Sequence, residues 1–175
     1  NQYSDWKAIV IGDEEREKLF FDHERLKVLG FKKHNEVINI FKKSSISVVC
    51  SRWEEPFGRT SLESSSCGCA VIITNRGGLP ETITNGVILE KLNKTEVYNS
   101  ISRLIEDSSF RTEIQKLSLE NFNLTHQNAC MAIDEYRNEI LNKKVLAKNF
   151  FNKKLKILHV TNFNERHNGR LFFNT

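Results

Sequence analysis

Ser47-Val-Val-Cys-Ser-Arg-Trp-Glu-Glu-Pro-Phe-Gly-Arg-Thr-Ser-Leu-Glu63 passes from an apolar run, through a polar loop, into a segment of small residues that continues to Cys67. Ile46 to Cys50 reads as a buried strand. Pro56 and Gly58 mark the loop, and a helix is expected from about Thr60 to Cys67, with Gly68 as its C-terminal cap. A helix start exposes unpaired N–H groups and the positive end of the dipole, so it is a natural seat for a diphosphate. Gly58 allows close backbone approach or an unusual dihedral there. Glu55 and Glu63 flank the seat with seven residues between them. A carboxylate cannot bind phosphate, but it accepts hydrogen bonds from the hydroxyls of a ribose or a sugar, and a nucleotide sugar carries all of these groups. The plain alternative is an acidic loop followed by a helix whose early glutamate suits the dipole.

The next segment repeats the arrangement. Ala70-Val-Ile-Ile-Thr74 is a strand, followed by the loop Asn75-Arg-Gly-Gly-Leu-Pro-Glu81, in which Pro80 opens a one-turn helix through Ile83. By itself Gly77-Gly78 reads equally as a tight turn. In an open parallel sheet, however, loops at the carboxyl ends of strands line one crevice, so both loops are expected to face one site.

Working outward, Trp6-Lys-Ala-Ile-Val-Ile-Gly12, Leu26 to Gly30 and Val87 to Leu89 read as further strands, and Asp13 to Arg25 as surface loop and helix. Asn35 to Lys43 is helical, with Val37, Ile38 and Phe41 on one face. Downstream, helices are expected over Glu96–Glu106, Phe110–Leu119 and His126–Leu141, the last with Ala129, Ile133, Tyr136 and Ile140 on one face. Alternation of apolar strands and helices predicts an α/β fold, a Rossmann-like parallel sheet with helices on both faces. Residues 1–141 form this domain, 142–154 a basic linker, and 155–175 the first strand and loop of a following α/β module: Leu155-Lys-Ile-Leu-His-Val-Thr161 is strand-like and 162–170 polar. The chain opens on Asn and closes after an apolar segment, and both ends read as cuts through a longer polypeptide.

The 175 residues, 39% hydrophobic and 27% charged, fit a soluble globular protein. The net charge of +4 is mild, and lysines mix with acids, which describes a solvated surface and not a nucleic-acid footprint. Cys50, Cys67, Cys69 and Cys130 form no CxxC pair and show no metal-ligand spacing, so they read as reduced thiols of a cytoplasmic protein. No run reaches the roughly 18–20 apolar residues that span a bilayer.

Taken together, the runs Ser47–Ser51, Glu55–Glu63, Cys67–Thr74 and Gly77–Glu81, with Ile9–Gly12 and Leu29–Phe31, resemble the signature of retaining glycosyltransferases with two Rossmann-like domains (the B fold), a family that includes glycogen synthases, sucrose synthases and bacterial mannosyl- and glucosyltransferases. The resemblance implies a donor-binding domain whose substrate is a nucleoside diphosphate sugar, with no cofactor and no metal; the Asp-x-Asp element of metal-dependent glycosyltransferases does not occur. Glu55 would contact hydroxyls of the transferred sugar near the reacting centre. Phe57 and Gly58 would offer backbone N–H groups to that sugar, and Arg59 and Thr60 theirs to the diphosphate. Glu63 would bind the ribose, Phe31 and Lys32 would border the nucleobase, and Gly77 and Gly78 would supply shape.

Arg52, Arg59 and Arg76 could neutralise phosphate, with solvent contact the plainer fate of each. His34, His126 and His159 read as surface or helix-end groups, no partner carboxylate being near them in sequence. Two departures from the family stand out. The strand that normally precedes Trp6, with its glycine loop and phosphate-clamping Arg and Lys, is missing, and so is the domain for a glycan or lipid-linked acceptor. The resemblance implies transfer with retention in cell-surface glycan or lipopolysaccharide synthesis, with the basic linker able to touch the inner face of the membrane. The rival readings are a non-catalytic donor-like module of a tandem protein and a sugar-nucleotide epimerase.

Overall fold

In the computed structural model, which describes residues 2–12 and 22–148, all five residues of the strand Ala70–Thr74 (β4) are buried. Two neighbours pair with it in parallel: Ile46–Val49 (β3), with Ile46 opposite Ala70, and Val87–Leu89 (β5), with Val87 opposite Ile72. Successive side chains of a strand point to opposite faces, and β4 is apolar on both. Val71 and Ile73 pack with Phe41, Cys69 and Leu79 in one cluster, while Ala70 and Ile72 pack with Leu89, Leu104 and Ile114 in the other. This is the signature of a central strand covered by helices on both sides.

The first cluster is closed by the helix His34–Phe41 (α1), whose Val37, Ile38 and Phe41 face it as the spacing predicts. The helix is entered through Lys33, whose N–H donates to the Glu36 carboxylate at 3.0 Å. The second cluster is closed by Lys94–Glu106 (α3) and Ser108–Glu120 (α4). Each begins at a side-chain cap: Asn93 Oδ1 accepts the Glu96 N–H at 2.8 Å, and Asp107 Oδ1 accepts the Phe110 N–H at 2.9 Å.

Ala8–Val10 (β1) and Leu26–Val28 (β2) form a separate parallel pair, extended by the Gly12 N–H donating to the Gly30 carbonyl at 3.0 Å. The parallel strands of the expected α/β fold are therefore present in two blocks, β1–β2 and β3–β4–β5, among the described residues. The segment before β1 lies on α3 and α4: Tyr3 Oη donates to Glu106 Oε1 at 2.6 Å, and the Arg111 guanidinium lies over the Trp6 ring at 5.2 Å. The carboxylate acceptor pushes the Tyr3 phenol above its ordinary pKa.

The chain divides into two compact units at Thr125. The second opens with the helix His126–Lys148 (α5), whose Ile133, Tyr136 and Ile140 are exposed. This helix runs into the stretch read as a linker. Asn142 to Lys148 holds lysine, leucine and alanine with no glycine or proline, a composition that favours continuation of the helix. The strand-like segment at 155–161, the loop at 162–170 and part of the expected surface segment at 13–25 lie outside the described residues. Among the described residues no helix is long and apolar enough to cross a membrane.

Candidate functional site

The loop after β3 is fastened at its root to β4. Thr74 Oγ1 accepts the Ser51 N–H at 2.9 Å and donates to the Ser51 carbonyl at 3.0 Å. From there the chain runs through Trp53 and Glu55 to Gly58, which caps the helix Arg59–Ser66 (α2) in the left-handed region at φ 89°. Gly58 has a second constraint. A Cβ there would lie 2.5 Å from Leu79 Cδ2, so a larger residue would have to displace the Leu79 side chain as well as adopt left-handed backbone. Because the cap has no side chain, the first N–H groups of α2 take no side-chain partner.

The inner face of α2 is made of hydroxyls. Ser61, Ser64 and Ser65 are fully buried. Ser61 Oγ lies 2.7 Å from the Gly58 carbonyl and 2.6 Å from Thr82 Oγ1, which in turn lies 2.7 Å from the Leu79 carbonyl. Small side chains let α2 approach its neighbours closely, and the shared hydroxyls bind its first turn to the turn after β4.

The Gly77-Gly78 loop supports the Glu55 loop from its other side. The Gly78 N–H donates to the Glu55 carbonyl at 2.7 Å. A Cβ on Gly77 would stand 2.3 Å from that same carbonyl oxygen, and one on Gly78 would stand 2.7 Å from the Pro56 carbonyl oxygen. Glu54 locks the two loops together. Its carboxylate accepts the Gly77 N–H at 2.6 Å and faces the Arg76 guanidinium at 3.0 Å. Those two contacts, Arg76 first, hold the Glu54 carboxyl below its ordinary pKa.

A cavity of about 440 Å³ opens at this junction, and Glu55, Phe57, Gly58, Arg59 and Thr60 all line it, together with Trp53. Glu63 lies one helical turn beyond Arg59. Its Oε1 is 3.2 Å from His34 Nε2 and 3.6 Å from an Arg59 guanidinium nitrogen. Phe31 and Lys32 follow β2 and lead into α1, outside the cavity wall; Phe31 is 76% exposed. Gly77 and Gly78 also stand outside the wall and act on it through the Glu55–Phe57 backbone. Arg76 faces Glu54, and the described residues hold no cluster of three metal-ligating side chains.

Sequence reasoning missed two partnerships. The sequence reading names Glu55 and not Glu54, although an arginine directly before the glycine pair is a sign of a cross-loop ion pair. His34 begins α1 as a helix-end group, and it also has a carboxylate partner, 29 residues away. Burial raises the thiol of Cys50, and it pushes Cys69 to about 12, with the Cys69 sulfur resting on the Phe41 and Ser44 carbonyls at 3.3 Å. Cys50 also lines the cavity, whereas Cys69 lies in the core beneath α1.

The family described as "Glycosyl transferases group 1" matches residues 1–119. Spore coat protein SA of Bacillus subtilis is 31% identical over 94 residues, 51% of this chain and 25% of that protein. An uncharacterized glycosyltransferase of Methanocaldococcus jannaschii is 36% identical over 89 residues, 49% of this chain and 25% of that protein. In fold the chain is similar to the crystal structure of Anabaena Alr3699/HepE in complex with UDP-glucose, with a TM-score of 0.56 and 23% identity, over 75% of this chain and 41% of that one. The chain thus spans about a quarter of the length of these curated relatives. With two loops at the carboxyl ends of parallel strands meeting at one cavity, and with a family match over most of its length, the chain belongs to the glycosyl transferases group 1 family.

Proposed function

We propose that this domain binds a nucleoside diphosphate sugar and serves a transferase that moves the sugar to a hydroxyl acceptor with retained anomeric configuration. The observation that carries the reading is one cavity wall holding both Glu55 and the uncapped start of α2. The N–H groups of Arg59 and Thr60 receive the diphosphate, at the positive end of a helix dipole. Those of Phe57 and Gly58 and the carboxylate of Glu55 hold the sugar, and Glu63 accepts from the ribose. Phe31 and Lys32 stand on the nucleobase side, after β2.

In the reaction the bond from the anomeric carbon to the diphosphate oxygen breaks, and a bond to the acceptor oxygen forms on the same face. The acceptor's proton passes to the departing diphosphate oxygen. Negative charge grows on the departing diphosphate, and fixed N–H donors aimed at it stabilise that change without reorganising. The UDP-glucose bound by the Anabaena relative supports a donor of this class. The acceptor is a cell-surface glycan or its lipid-linked precursor, met in the cytoplasm, with the basic stretch at 142–154 close to the inner membrane face.

Calorimetry on the intact protein with uridine, guanosine and adenosine diphosphate sugars tests the reading. One of them should bind, and Glu63→Ala should weaken it at least about tenfold, the loss expected for a charge-assisted hydrogen bond. Unchanged affinity in Glu63→Ala would sink the assignment.

A further inference from the structure

We infer that His34 is a positioning residue for Glu63, and that it sets how strictly the site demands a ribose over a 2′-deoxyribose. The inference rests on the reading of Glu63 as the ribose carboxylate. It deepens that reading by adding a residue from a different element.

His34 Nε2 stands 3.2 Å from Glu63 Oε1. A carboxylate only accepts, so the ring must donate from Nε2, which a neutral imidazole with its proton there can do. Arg59 approaches the same oxygen, but at 3.6 Å, beyond hydrogen-bond length, and from a side chain that is 78% exposed. Both groups therefore address Oε1, and no described residue donates to Oε2. Among the described residues one oxygen is held and the other is left to receive a ligand.

A glutamate has several freely rotating bonds, and a diol is gripped only if the carboxylate plane stays turned toward it. Fixing one oxygen from outside the helix supplies that orientation before the ligand arrives. The support is firm at its far end. His34 is the first residue of α1, and α1 is seated by Phe41, Val37 and Ile38 on the main core and by the Lys33–Glu36 contact at its entry. His34 itself is 59% exposed, so its loss costs the fold little, and the effect belongs in ligand discrimination.

The test uses the intact protein and calorimetry with whichever of UDP, GDP and ADP binds tightest, alongside its 2′-deoxy counterpart. Wild type should prefer the ribonucleotide, and Glu63→Ala should erase the preference. His34→Ala should lower it about 3- to 10-fold, the size of one hydrogen bond, weakening the 2′-deoxy form less because that form offers Glu63 only its 3′-hydroxyl. His34→Gln, whose amide can donate in the same direction, should retain most of it. Equal weakening of both nucleotides in His34→Ala would mark a merely structural role and overturn the inference. So would a wild-type preference in His34→Ala alongside its loss in Glu63→Ala, and in that case the reading of Glu63 would stand. A preference that survives Glu63→Ala, or no binding by any of the three, would overturn the reading of the site and the inference with it.

Discussion

Ser61 and Thr82 hold their hydroxyl oxygens 2.6 Å apart, with neither residue reached by solvent. One belongs to the first turn of α2 and the other to the turn after Gly77-Gly78, so a hydroxyl pair links the start of α2 to the turn after β4. Two hydroxyl hydrogens serve three contacts, since each oxygen also faces a backbone carbonyl.

Thr82→Val should therefore destabilise the protein by about 1–3 kcal/mol, because the buried Leu79 carbonyl loses its donor. The double variant Ser61→Ala/Thr82→Val should cost less than the sum of the singles, since the two share a contact. Urea unfolding of the four species measures both quantities.

Gly77→Ala should damage transfer far more than nucleotide affinity. The new Cβ meets the Glu55 carbonyl oxygen, and the position sits at φ 53°, where an L-residue costs about 1–2 kcal/mol before any clash. Glu63 and His34 are not among the nearest atoms a Gly77 Cβ would meet. A drop in kcat of tenfold or more (about 1.4 kcal/mol), with a much smaller change in nucleotide affinity, is the expected outcome.

The Glu54 carboxyl is held below its ordinary pKa by Arg76 and by the Gly77 N–H. A carboxyl depressed in the folded state favours folding above its unfolded pKa, and that contribution is lost as pH falls through the lower folded value. At neutral pH the loop clasp is intact, and it opens only on acidification below the ordinary carboxylate range. Arg76→Met should move the Glu54 titration back toward its ordinary value, and carboxyl-carbon NMR through the acid range reads the shift. Glu54→Ala should lower kcat while nucleotide binding persists.

Cys69, raised to about 12 and fully buried, should resist maleimide at neutral pH until the protein unfolds. Cys130, exposed on α5, should be modified promptly. Mass spectrometry of peptides after timed labelling separates the two.

Much of the fold is written locally. Ala70–Thr74 and Val87–Leu89 are apolar runs between turn residues, and the structure begins and ends those strands where the pattern does. Helix edges drifted: α1 starts at His34 because the Glu36 side chain closes its entry, and α5 runs to Lys148 because nothing in the sequence stops it. Strand neighbours are not encoded in any single run, so the split of β1–β2 from β3–β4–β5 lay beyond a segment-by-segment reading. The same limit holds in the site. Glu55 to Thr60 are contiguous and fell on one cavity wall, whereas Glu54 finds Gly77 across 23 residues and His34 finds Glu63 across 29.

The buried serines of α2 bear on how such a domain can change its ligand over time. Ser61, Ser64 and Ser65 are fully buried, and at Gly58 a side chain would meet Leu79 and require left-handed backbone. The floor is closed to innovation. Under the proposed reading, a change of donor preference falls to the exposed Phe31, Trp53 and Phe57, where a new side chain meets water before it meets the scaffold.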